Sequence, residues 1–411
     1  MNLNDRAFIW SSFLWGLLLF IPISIRLGEL SGKPLDFVFS DFFPLIFIVL
    51  CGVYRSKCFS IYSIYLPLIA ISYYLGIALI AAITDGGSLS NMASAVRFSK
   101  QFLLIPCGAI FFHIYGWAGL RYFSYSILFI LLSLTLSDVF LGSFPRGCGY
   151  EGRWGGCLIL NEVYGFPNSS ASYVVLLSLT LIVFYKLGEL SKLLLLVGLL
   201  SSFILALLSL SRASWVFFAL GVFFFLLFNA SYYKKILISI VTIIILIGLS
   251  FTDIFTLFEA QIFRGVVNKM SYYAEGHEIT SGRVGIWSET LTLIFQKPIF
   301  GYGFDYFSSY VSGYDTPHQQ YLELLFKSGM FGALIYIFCI YLLFYTIKKI
   351  SIAYNYHIHW LILWVVIFPL LINALFQPIF SYSLVGNAFM FILGVLLEAH
   401  QKTPTYIRDV K

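Results

Sequence analysis

The sequence predicts an all-helical integral membrane protein, and three observations carry that expectation. Of 411 residues, 60% are hydrophobic and only 11% are charged, whereas a soluble chain is about a quarter charged. Apolar runs recur along the whole chain at a length suited to crossing a hydrocarbon layer, which takes roughly 20 residues per helix. The basic residues between those runs sort to one side. No separate soluble domain is left over.

The length rule gives about twelve spans, near 8–25, 36–54, 59–82, 98–116, 122–141, 168–186, 192–210, 213–230, 235–252, 331–347, 358–377 and 382–398. The first run follows Arg6 and lacks a small-residue cleavage site, so it reads as a retained helix. Arg55 and Lys57, Arg121, Lys186 and Lys192, Lys234 and Lys235, and Lys348 and Lys349 fall on the same side as both termini. The positive-inside rule makes that side the cytoplasm. The formal charge of +6 therefore belongs largely to topology and is poor evidence for an anionic ligand; no nucleic-acid partner is expected.

Three regions follow: 1–252, carrying spans and a smaller outward loop at 142–167; 253–330, a large outward loop with short amphipathic helices; and 331–411, carrying the last spans and a cytoplasmic tail. Long loops in compact proteins are usually functional. Cys51, Cys58, Cys107 and Cys339 sit in or beside apolar runs and are expected to be inert. Cys148 and Cys157 lie in the smaller outward loop, where an oxidising compartment allows a disulfide, two free thiols being the alternative. Arg153, among glycines in the same loop, either holds an anion or pairs with Glu151 or Glu162.

The large loop ends in Thr316-Pro317-His318-Gln319, followed by an apolar helical pattern that stops at Gly329. Thr316 and Gln319 stand in the capping-box relation and Pro317 suits a first helical position, which puts His318 among the free N–H groups of a helix start. The positive end of a helix disfavours an imidazolium, so His318 is a candidate general base. The plainer alternative is a polar residue decorating a helix start.

Two arginines have similar settings. Arg212 follows Ser211 where two spans join with almost no loop, a depth at which a charge is costly unless paired or used. Arg283 follows Ser281 and Gly282 and opens an amphipathic helix with Val284, Trp287, Leu291 and Phe295 on one side, expected to lie along the membrane surface and to end at Lys297-Pro298. Helix starts and guanidinium forks both suit phosphate oxygens, so one outward face has the equipment to hold a diphosphate beside a base. The alternative is that both arginines only anchor helices to lipid head groups.

What is missing also bears on the chemistry. The sequence has no Asp-x-Asp pair, no Gly-rich phosphate loop and no Cys/His cluster at zinc spacing, which fits a metal-independent reaction on a preformed lipid-linked donor, without a cofactor. Asp41 is the one obvious intramembrane acid, too little for a proton relay.

These motifs resemble the O-antigen ligase and O-antigen polymerase superfamily. The resemblance rests on His318, Gln319, Gly329 and Gly332, on Leu210-Ser211-Arg212-Ala213, on Ser281-Gly282-Arg283, and on Lys297-Pro298-Ile299-Phe300-Gly301-Tyr302-Gly303. Gly165-Phe166-Pro167-Asn168 and the span layout agree with it. It implies a glycosyltransferase of the bacterial inner membrane whose active site faces the periplasm and whose donor is an undecaprenyl-diphosphate-linked oligosaccharide. In that family setting Arg212 and Arg283 would bind the diphosphate and His318 would be the base for an acceptor hydroxyl, with inversion. Arg153, Gln319 and Asp315 would be further substrate contacts, and a chain-length regulator protein a further partner. Glu259, Glu275, Glu278 and Asp305 are other loop acids within the same expectation.

The wording around His318, with Asp315 and Thr316 where enteric ligases more often carry a second histidine, favours a polymerase that joins chains to another lipid-linked repeat unit. Ligation to the lipid A core is the alternative within the class. A transporter or flippase of lipid-linked glycans, which would not need His318, is the alternative outside it.

Overall fold

The computed structural model describes residues 3–22, 24–30, 33–42, 61–84, 89–141, 159–160, 167–209, 211–229, 283–353, 361–381 and 383–409. These form a helical bundle with one small sheet. The helices are α1 (Leu3–Phe20), α2 (Ile61–Thr84), α3 (Leu89–Ser99), α4 (Leu104–Leu141), α5 (Pro167–Lys186), α6 (Lys192–Leu208), α7 (Arg212–Asn229), α8 (Arg283–Gln296), α9 (Gln320–Ala353), α10 (Phe368–Ala374) and α11 (Ser383–Asp409). Among the described residues four stretches are long and apolar enough to cross a membrane: Tyr62–Thr84, Asn91–Ser137, Pro167–Lys186 and Gln320–Ile350. Shorter apolar helices occupy Arg6–Phe20, Lys192–Leu208, Arg212–Phe228, Leu363–Ala374 and Leu384–Ala399. The expected span at 235–252 and most of that at 36–54 lie outside the described residues, as do Cys148, Arg153 and Cys157.

The sheet departs from an all-helical expectation. Strands β1 (Ser24–Leu30) and β2 (Lys33–Val38) pair antiparallel, and β3 (Ile159–Leu160) adds to β1 in parallel. The first span accordingly stops at Phe20, and the residues expected to open the second are β2 and a short turn of 3-10 helix, Phe39–Phe42. Ile25 and Leu27 alternate with polar neighbours, a period of two that suits a ribbon better than a helix.

Helix α4 holds two expected spans. At Gly116 the backbone turns to φ 56°, ψ −154°, outside the helical region, and the chain doubles back: Phe111 and Phe123 have ring centroids 4.9 Å apart. Twelve residues of straight helix would separate them by about 18 Å. Arg121 therefore sits at a hairpin turn, and its Nε donates to Glu189 Oε2 at 2.8 Å in the turn between α5 and α6. That contact puts Arg121 and Lys186 at the same end of the bundle, as the charge pattern requires. The two legs of α4 pack on α1 and α11, and Gly394 brings α11 so close that a Cβ there would lie 1.8 Å from the Ile105 carbonyl oxygen. Small residues at such crossings let apolar helices gain dispersion contacts in lipid, where water gives no drive to associate.

Two buried acids of the bundle have basic neighbours. Asp41 forms an ion pair with Lys100 and accepts from Asn387 Nδ2 at 3.1 Å, which ties the turn below the sheet to α11. Asp41 is not the one buried acid of the bundle: Glu398, 3% exposed, lies 3.1 Å from His113 Nδ1.

Candidate functional site

A second, smaller core lies at the other end from Arg121, built from Ile286, Ile294, Tyr302, Phe307, Val311 and Phe326. It joins α8 to the first turns of α9. The face of α8 that it buries is Ile286, Thr290 and Ile294, while Val284, Leu291 and Phe295 are exposed. Helix α8 thus has two apolar stripes. The sequence singled out the exposed one and missed the packing one.

Helix α9 is broken at Gly329, whose φ of 62° and ψ of −167° end one helical segment and begin the next. The turn at 297–304 lies against that break through backbone bonds: Tyr302 N donates to Phe326 O at 2.8 Å, Phe304 N to Lys327 O at 3.2 Å and Met330 N to Pro298 O at 2.9 Å. Tyr73 of α2 donates to Ser328 O at 2.7 Å, satisfying a carbonyl that the break releases. A Cβ on Gly329 would meet Ile299 O at 2.2 Å. Gly329→Ala is therefore expected to cost roughly 2–4 kcal/mol, from left-handed strain and from parting the two strands of the turn. A fall in Tm of detergent-solubilised protein checks it.

The histidine turn differs from the expected helix start. The first segment of α9 begins at Gln320, so His318 precedes it, in the left-handed region at φ 54°. Strained backbone of this kind persists only where surroundings impose it and gathers at functional sites. Thr316 Oγ1 accepts from His318 N at 3.2 Å and lies 3.4 Å from His318 Nδ1, so Thr316 closes a local turn and does not cap the helix. The cap is Gln319: its side-chain oxygen accepts from Leu322 N at 2.6 Å and its carbonyl from Glu323 N at 3.0 Å. The Gln319 oxygen is thus engaged, and what that side chain offers a ligand is its amide nitrogen. Asp315, beside the turn, is exposed.

Trp287 joins Arg283 to this turn. One helical turn beyond Arg283 in α8, its indole Nε1 donates to Pro317 O at 3.0 Å. Arg283 is then near enough to His318 for its charge to matter. The imidazole is held below its ordinary pKa, first by partial burial that disfavours the cation and then by the Arg283 guanidinium; Glu323 and Asp315 act in the opposite direction. At neutral pH the ring is in the form that accepts a proton. Desolvation and the neighbouring arginine thus act in the same direction as that expected of a helix start.

Arg212 is exposed at the first position of α7. Ser211 stands at its N-cap position, with its carbonyl accepting from Trp215 N at 3.0 Å. Its hydroxyl, however, faces Ser214 Oγ at 2.9 Å and accepts from Gln377 Nε2 at 3.2 Å. The turn after α10 carries that glutamine, and the same turn carries Phe380 and Ser381, whose backbone N–H groups donate to Gln320 Oε1 at 2.7 and 3.2 Å. Two buried glutamines therefore connect the start of α7 with the start of α9. Arg212 and His318 open onto the same end of the bundle through this turn, and Arg283 joins them through Trp287. Gln320 and Gln377 were not expected from the sequence. The signal was there in a weak form, since an uncharged polar residue in an apolar run needs a partner.

Among the described residues no group of three or more His, Cys, Asp or Glu side chains comes together to hold a metal ion.

The fold defines a multi-span membrane protein with Arg212, Arg283 and His318 towards one end of its helix bundle. Residues 197–337, the stretch that holds Arg212, Arg283 and His318, match the family model of O-antigen ligase. The resemblance drawn from the sequence motifs thus holds over the part of the chain that builds the site. No curated protein matches the chain.

Proposed function

We propose that this protein is a glycosyltransferase that polymerises O-antigen, or a closely related surface polysaccharide, from undecaprenyl-diphosphate-linked glycans at the periplasmic face of the bacterial inner membrane. The observation that carries the reading is the meeting of His318 with Arg283 at the start of α9. An acceptor sugar hydroxyl attacks the anomeric carbon of the donor glycan. The bond from that carbon to the diphosphate oxygen breaks, and the hydroxyl proton passes to His318. Attack opposite the leaving group inverts the anomeric centre. Arg283 and Arg212 take up the charge that develops on the diphosphate, guanidinium forks being suited to it. Arg283 thus has two effects, since the charge that would hold the leaving group also keeps His318 neutral.

Ligation to the lipid A core is the second reading, favoured by the family description itself. Complementation separates the two. Expressed in a strain lacking its own polymerase, with matching donor sugars, the chain is expected to restore lipopolysaccharide ladders of many repeats. Restored attachment of host O-antigen in a ligase-deficient strain, with no ladder in the first, would make it a ligase. Glycan translocation that survives His318→Ala would support a transporter instead.

A further inference from the structure

Glu323 is a buried acid beside the histidine turn that the reaction as written does not use. It is 1% exposed. It sits in the first turn of α9, where side chains lean back towards the helix N-terminus and so towards residues 318–320. One oxygen, Oε1, is paired with Lys327 a turn further on, while Oε2 has no hydrogen-bond partner among the described residues. A buried carboxylate oxygen left unpaired is costly, and it is the kind of cost that persists at sites where the group has a task. The backbone between the histidine and the acid is held from both sides, with Gln319 capping the helix and Gln320 bonded to the Phe380–Ser381 turn.

We propose that Glu323 is a positioning residue for His318: its carboxylate, fixed at one oxygen by Lys327, stabilises the imidazolium that forms when His318 takes the acceptor proton. The inference rests on the reading of His318 as the base. The charged groups facing the imidazole from the described elements are Arg283 of α8, Asp315 of its own turn, and Glu323, with its partner Lys327, of α9. Arg283 disfavours the imidazolium; Glu323 and Asp315 favour it. The arrangement has a chemical logic. A base must be neutral before the transfer and charged after it, so a fixed cation and a fixed anion on the same ring keep its proton affinity close to that balance.

The test is a titration of His318 in purified full-length protein. Histidine labelled with 13C in the ring gives six resonances at most, and the one missing from His318→Ala is His318. In Glu323→Gln its midpoint is expected to fall by about half a pH unit or more, a roughly threefold weaker proton affinity. The acid limb of kcat should shift downward with it, and kcat should drop about tenfold or more. Glu323→Asp is expected to recover part of both. Lys327→Gln frees the carboxylate from its cation and should move the midpoint upward, which keeps the idea testable if Glu323→Gln fails to fold. An unchanged midpoint in whichever of these variants folds overturns the inference, even if activity is lost, since a purely structural role would cost activity and leave the titration in place. Full activity in His318→Ala would instead overturn the reading of His318 as base, and the titration would still report whether Glu323 acts on its ring.

Discussion

His318→Ala is expected to lower the rate of glycan transfer 10²–10⁴-fold, the range a positioned general base supplies, with little change in donor binding. The expectation follows from the left-handed backbone at His318, a strained conformation of the kind that gathers at functional sites, and from its depressed proton affinity. Because the ring must be neutral to act, wild-type activity should fall as pH drops through the His318 pKa, which lies below the usual imidazole value of about 6.5. Activity should be flat from there to neutral pH. Transfer assayed in vesicles with a lipid-diphosphate donor, across pH, measures both features. An acid limb that persists unchanged in a residually active His318 variant would assign the titration to another group.

Arg283→Ala is expected to lower kcat/KM roughly 10- to 100-fold, the equivalent of losing a hydrogen bond to a charged group in a partly desolvated site. Arg283→Lys should fall between, because an ammonium keeps the charge and loses the fork. A second consequence is particular to this geometry. Removing the guanidinium lifts its hold on the imidazolium, so His318 becomes more basic and the acid limb of kcat at saturating donor moves to higher pH. Arg212→Ala is expected to weaken donor use by a similar factor without moving that limb, since no influence of Arg212 on His318 is evident. Surface glycan of normal amount and length in both variants would count against a diphosphate role and leave the arginines as anchors in the head-group layer.

Some of this architecture was legible because it depends on local composition. Apolar runs separated by basic turns gave the helices, and the hairpin contact of Arg121 with Glu189 agrees with the side to which the charges were sorted. The motif residues Lys297, Pro298, Gly301 and Gly303 were recognised as a unit, but their purpose was not. They belong to the turn that bonds to α9 around its break at Phe326, Lys327 and Met330, a partnership between residues well over twenty apart in the chain. The start of α9 was placed too early for a definable reason. Thr316 and Pro317 have the residue types of a cap and a first position, yet it is Gln319 that caps the helix, accepting from Leu322 N, while Thr316 accepts from His318 N and closes a turn ahead of it. The face of α8 was misjudged because it has two stripes, and periodicity cannot tell which one packs against the protein and which stays exposed.

By itself the sequence determined that the chain is a bundle of apolar helices long enough in part to cross a membrane, and it singled out one histidine and two arginines that fall at or beside helix starts. Those are properties of residue type and spacing, and they survive without knowing any contact. Only the tertiary structure decided that Arg283 and His318 share one electrostatic environment, that Gln320 and Gln377 bind the Arg212 helix to the start of α9, and that Glu323 is buried in the first turn of that helix. Proton affinity in particular depends on burial and on charges brought close by folding, which fall off over a few ångströms in space and bear no relation to distance along the chain.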